Sequence, residues 1–165
     1  MTPEKEERGI AVEIERKFTV KRLPEGLERC PKQRIEQGYL CTEPVVRVRQ
    51  AGESYFLTYK GKGLMVREEQ EFPLTREAYL HLRAKADGTV ITKDRYRIPY
   101  GERTIELDVF DAPFAPLVIA EVEFPTEEEA LAFQPPDWFE RDVTGEPSYQ
   151  NSSLSRGIPP GRGEE

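Results

Sequence analysis

The sequence predicts an α+β domain that is mainly β, built from short antiparallel strands with a few helical interruptions. Three observations carry this. Apolar and charged residues alternate with a period of two through run after run of the chain, which marks strands with one greasy and one polar face. Fourteen prolines and twelve glycines divide 165 residues into short segments, which suits turns better than long helices. The length is that of one domain able to bury a sizeable core.

Taken in order, residues 1–9 are polar and read as a flexible lead. A first strand covers about Ala11 to Val20, with Ile14, Phe18 and Val20 on one side and Glu13, Glu15 and Lys17 on the other. Leu23-Pro24-Glu25-Gly26-Leu27 reads as a turn. Gln33 to Cys41 is a second strand, and Val45 to Gln50 a third, with Arg47 and Arg49 opposite Val46 and Val48. The turn at Ala51-Gly52-Glu53-Ser54 leads into Tyr55 to Lys60, where Thr58 and Lys60 share a face. Gly61-Lys62-Gly63 lacks the spacing of a phosphate-binding loop and reads as a hairpin. Val66 to Phe72 then places Arg67, Glu69 and Glu71 together.

From Thr75 the period becomes helical, with Ala78, Tyr79, Leu82 and Ala86 as the apolar stripe, Thr75 as cap and Gly88 as terminator. His81, the one histidine, is expected to be partly buried there in a structural role. Strands resume at Val90 to Pro99, with Lys93 and Arg95 on one face. Thr104 to Phe110 pairs Glu106 with Asp108, and Leu117 to Phe124 pairs Glu121 with Glu123. Thr126 opens a capping box before a short helix ending near Phe133. Trp138 and Phe139 are expected to pack, and Arg141 to Tyr149 to hold a last strand. The expected domain is 10–154, followed by a disordered, glycine- and proline-rich tail at 155–165.

Charged residues make up 33% of the chain, well above the globular norm of about 25%, so the excess needs either a surface or a polar interior. A net charge of −7 argues against a general nucleic-acid binder. No apolar run reaches the roughly 18 residues of a membrane span, and the acidic start is unlike a signal peptide. Cys30 and Cys41 are too few for a zinc site and are expected to be free thiols. These features suggest a cytoplasmic protein.

Several of the period-two faces carry one sign of charge only. Side by side, like charges repel unless other strands or bound ions compensate them. Turned inward in a closed barrel, they would line a lumen whose arginines and lysines grip a polyanion while its carboxylates hold a hard divalent cation. Turned outward, they would face water around a sandwich core of Ile14, Val46, Leu57, Val109 and Val122. Periodicity leaves both open.

The ordered set Glu13-Ile14-Glu15-Arg16-Lys17 (ExExK), QGYL at Gln37 to Leu40, RVR at Arg47 to Arg49 and TYK at Thr58 to Lys60 resembles the CYTH domain, or triphosphate tunnel metalloenzyme, superfamily. The likeness continues through REEQE at Arg67 to Glu71, KDRY at Lys93 to Tyr96, ELDVF at Glu106 to Phe110, EVEF at Glu121 to Phe124 and Tyr149-Gln150-Asn151. It spans about Val12 to Leu154 and looks most like the short bacterial inorganic triphosphatases. The resemblance implies a closed eight-stranded antiparallel barrel with a few flanking helices. It implies Lys17, Arg47, Arg49, Lys60, Arg67, Lys93 and Arg95 as triphosphate ligands. Glu13, Glu15, Glu69, Glu71, Glu106, Asp108, Glu121 and Glu123 become ligands or outer support for Mg²⁺ or Mn²⁺, with two ions expected. Tyr39, Lys17 and Lys93 are implied in catalysis. The expected substrate is a small polyanion, with no nucleic-acid or membrane partner, and the protein a monomer or homodimer. A class IV adenylate cyclase, a nucleoside or thiamine triphosphatase, and a non-catalytic polyphosphate-binding module stand as alternatives.

Overall fold

The computed structural model describes residues 11–157. Strands β1 (Ala11–Val20), β2 (Lys32–Thr42), β3 (Val45–Ala51), β4 (Ser54–Lys60) and β5 (Val66–Leu74) precede helix α1 (Arg76–Arg83). Then come β6 (Asp87–Tyr100), β7 (Arg103–Phe110), β8 (Val118–Glu123), helix α2 (Glu127–Ala132), β9 (Phe139–Asp142) and helix α3 (Asn151–Ser155).

Strands β5-β4-β3-β2-β6-β7-β8-β1 lie side by side, every pair antiparallel, and β1 returns to β5 to close the barrel. The barrel replaces the sandwich alternative. Closure removes the exposed edges of the eight strands. It runs through β1, which changes partner part-way along one edge. From Ala11 to Ile14 it pairs with β5, and from Phe18 onward with the extra strand β9. On its other edge Glu15 to Thr19 pair with β8.

Period two now has a physical meaning. The apolar partners point outward and are covered. Phe18, Ile105, Leu107, Ala120, Val122 and Phe124 pack against Ala130 of α2 and against Trp138 and Phe139. Arg16, outward between Glu15 and Lys17, ties this layer down by donating to the Ala130 carbonyl and to Asp142, both at 2.8 Å. Helix α1 lies on β2, β3 and β4, where buried Tyr79 donates to Glu36 at 2.7 Å. A second apolar cluster of Tyr39, Val45, Ile91, Phe110, Ile119, Tyr149 and Leu154 comes from one end of β2, β3, β6, β7 and β8, and α3 sits across it. Among the described residues no helix is long and apolar enough to cross a membrane.

Both helix caps form as expected, Thr75 accepting from the Ala78 amide and Thr126 from the Glu129 amide. Other details differ. The first helix stops at Arg83, and Gly88, expected to end it, lies inside β6 with φ +68°. Its role is close approach: a Cβ there would stand 2.1 Å from the Ser155 carbonyl oxygen, so only glycine lets α3 seat on β6. His81 is exposed on α1, because the face that packs is led by Tyr79. The last strand occupies Phe139–Asp142, and Pro147–Tyr149 form a 3-10 turn. The packed chain runs through Ser155, which is buried in α3, one residue beyond the expected domain end. The expected lead at 1–9 and most of the expected tail lie outside the described residues.

Candidate active site

The barrel holds a cavity of about 240 Å³ whose lining is almost entirely polar and mostly charged. Glu13, Glu15, Lys17, Tyr39, Arg47, Arg49, Lys60, Arg67, Glu69, Glu71, Arg95, Glu106, Glu121 and Glu123 all line it, as the inward orientation requires. Lys93 and Asp108 stand just behind, wholly enclosed in the wall.

Strand order sorts the charges around the circumference. β3 and β6 carry Arg47, Arg49, Lys93 and Arg95, and β2 between them contributes neutral Gln37 and Tyr39. β7, β8 and β1 follow with Glu106, Asp108, Glu121, Glu123, Glu15 and Glu13. β5 and β4 complete the ring with Glu69, Glu71, Arg67 and Lys60. A basic wall therefore faces an acidic one across the cavity.

On the acidic side one carboxylate oxygen each from Glu13, Glu15 and Glu123 falls within 4.8 Å of the others. Burial, with the charges of Glu121 and Glu13 beside it, pushes the Glu15 carboxyl well above its usual range. Burial and a hydrogen bond shared with Glu13 lift Glu69 to about 7. Glu13 is held down at about 2, because its bonds to Glu69 and Lys60 outweigh its burial. Lys60 donates to both Glu13 oxygens, at 3.0 and 3.1 Å. Such a group of crowded carboxylates, some retaining protons, is what a hard divalent cation with oxygen ligands would occupy by displacing them.

On the basic side the arginines differ. Arg95 is committed to carboxylates, with both prongs on Asp108 at 2.7 and 2.9 Å and a further bond to Glu106. Lys93 also reaches Asp108, at 2.8 Å, and burial draws its ammonium down to about 7 despite that partner. Arg49 touches no carboxylate within ion-pair distance among the described residues; burial, then the charges of Arg47 and Arg95, lower it to about 9. Arg47 is buried with its Nε unbonded, and the Nε of Arg67 is likewise unbonded. Buried donors without acceptors are costly, and an anionic ligand in the cavity would supply the missing oxygens.

Five lining residues were not singled out from the sequence as site residues, among them Val45, an apolar residue at the start of β3. Arg97 continues the period-two face of Lys93 and Arg95, and that signal would have found it. Gln150, Asn151 and Ser152 reach the cavity from the 3-10 turn and α3, where no periodicity marks them. Gln37, also missed, is fully buried behind Arg49 on the same face as Tyr39.

Residues 11–143 match the CYTH domain. This chain belongs to the CYTH domain family. The CYTH match ends before the 3-10 turn and α3. An inorganic triphosphatase of Nitrosomonas europaea is 40% identical over 153 residues, covering 89% of this chain and 99% of the relative. Another, from Acetivibrio thermocellus, is 37% identical over 151 residues, covering 86% of this chain and 92% of the relative. The crystal structure of the inorganic triphosphatase NE1496 superposes with a TM-score of 0.67 at 36% identity, covering 89% of this CYTH chain and 96% of the other.

Proposed function

We propose that this CYTH protein is a divalent-metal-dependent inorganic triphosphatase, hydrolysing tripolyphosphate to pyrophosphate and orthophosphate inside the barrel. One observation carries the reading: buried Arg47 and half-buried Arg49, without carboxylate partners among the described residues, face the Glu13–Glu15–Glu123 cluster across a polar cavity. The two full-length triphosphatase relatives support the choice of substrate.

Glu13, Glu15 and Glu123 would hold Mg²⁺ or Mn²⁺, with Glu69, Glu106 and Glu121 beside them; a second ion would draw on the same carboxylates. A bound ion neutralises phosphoryl charge and lowers the pKa of water at the site. The rest falls to the chain. Arg47 and Arg49 offer planar forks to the phosphoryl oxygens and hold the triphosphate in line for displacement. Lys17, Lys60 and Arg67 add positive charge along the acidic edge, where the terminal phosphate would lie. Arg95 and Lys93, fixed by Asp108, supply a preorganised field that needs no rearrangement when charge develops. The Tyr39 hydroxyl, on β2 opposite Arg47, hydrogen-bonds a phosphate oxygen and fixes its orientation. Residues 10–154, extended through Ser155, are the working unit. Free Cys30 and exposed Cys41 suit a cytoplasmic setting.

The test is phosphate release from tripolyphosphate, ATP and thiamine triphosphate in parallel, with Mg²⁺, Mn²⁺ or EDTA. Tripolyphosphate should turn over fastest and only with metal. Faster ATP turnover, or cyclic AMP among the products, would displace the reading.

A further inference from the structure

Behind the basic wall runs a short chain of neutral amides. Gln37 on β2 lies opposite Arg49 on β3 and Ile91 on β6, at the centre of that wall. Its Oε1 accepts from Arg49 Nε at 2.8 Å, and its Nε2 donates to Asn151 Oδ1 at 3.1 Å. The same Asn151 oxygen accepts from Lys93 Nζ at 2.9 Å. Two residues earlier, the Tyr149 carbonyl accepts from Lys17 Nζ at 3.3 Å. The 3-10 turn and α3 thus touch two lysines directly and reach Arg49 through Gln37, each time with a neutral oxygen.

We propose that Gln37 is a positioning residue that aims Arg49 at the triphosphate without cancelling its charge, and that Asn151, bonded to Gln37, holds it there, so that the 3-10 turn and α3 complete the substrate site. This rests on the triphosphatase reading above. Arg95 and Lys93 supply the contrast: both are held by Asp108, so their charge is already matched. A carboxylate in place of Gln37 would bind Arg49 more strongly and neutralise it, and one in place of Asn151 would add an unmatched negative charge beside the basic wall. Gln37 spends its acceptor on Arg49 and its donor on the Asn151 oxygen, leaving the arginine's positive charge for the ligand.

The near-isosteric exchanges Gln37→Glu and Asn151→Asp test this, because they retain the acceptor and add a charge. Calorimetric binding of tripolyphosphate in EDTA should weaken at least about tenfold in each. KM with metal should rise to match, without loss of melting temperature. Gln37→Met, which removes the acceptor and leaves the charge, should lower kcat more than it raises KM, because Arg49 loses its aim. Wild-type affinity and KM in both charge variants would overturn the proposal, as would variants that change melting temperature alone. A wild-type protein that binds tripolyphosphate without hydrolysing it would sink the triphosphatase reading, and the binding comparison would still decide the role of the two amides.

Discussion

The Lys93 ammonium and the Asp108 carboxylate meet at 2.8 Å with both side chains entirely out of solvent. Asp108 also takes both prongs of Arg95, so one carboxylate serves two buried cations. The two partners are therefore unequal. Asp108→Asn takes the carboxylate from buried Lys93 and leaves Arg95 only its longer contacts to Glu106 and Glu121, and should cost about 3–5 kcal/mol, a fall in melting temperature on the order of 10 °C. Lys93→Met leaves Asp108 matched by Arg95 and should change stability by no more than about 1 kcal/mol. Both should lose turnover. Thermal melts beside phosphate-release assays check the asymmetry, and equal destabilisation would contradict it.

Glu15 gives a variant that is more stable and inactive. Burial and the charges of Glu121 and Glu13 raise its carboxyl, so its ionised form strains the metal-free fold. Glu15→Gln keeps the shape and removes that repulsion. At pH 8 without metal the variant should melt a few degrees higher than the parent, and with metal it should show no triphosphate hydrolysis.

The same carboxyls set a pH dependence of unusual sign. Glu69 at about 7 and the raised Glu15 hold protons that the unfolded chain has released once pH exceeds the ordinary carboxylate value of 4.5. The folded state binds more protons across this window, so these two groups lower metal-free stability as pH rises from 4.5 through about 7. Metal must displace those protons. Affinity for Mn²⁺ should therefore increase between about pH 6 and 8, with proton release at pH 6. Titration calorimetry at pH 6 in buffers of different ionisation enthalpy measures it, and identical heats would rule it out.

Arg47 tests the other wall. Its buried Nε has no acceptor, so its place in the metal-free barrel is a cost. Arg47→Met fills similar volume without that donor. The variant should melt no lower than the parent, while KM for tripolyphosphate rises at least about tenfold. Arg47→Lys should fall between, because it restores charge without the planar fork.

How much of this was legible in the chain differs by residue type. The alternation Glu13, Glu15, Lys17 fixed which side chains travel together, and the same holds for Arg47 with Arg49 and Glu121 with Glu123. All of them line the cavity. Arg97 lay on an equally readable face. Gln150 and Asn151 were not readable as ligand-facing, because a 3-10 turn and one turn of helix carry no periodic signature. Gly88 misled, since a glycine after an amphipathic stretch usually ends a helix, whereas here the need for it comes from Ser155, far along the chain.

By itself the sequence determined the strands, their two-faced character and the grouping of charges on each, because side chains in a strand alternate by local geometry alone. Tertiary structure decided that the charged faces turn inward and that β3 and β6 flank β2. It also decided that Asp108 answers both Lys93 and Arg95, and that Asn151 reaches the basic wall. Those outcomes depend on ring closure between β1 and β5 and on register between strands far apart in the chain, where each pairing is set by all the others.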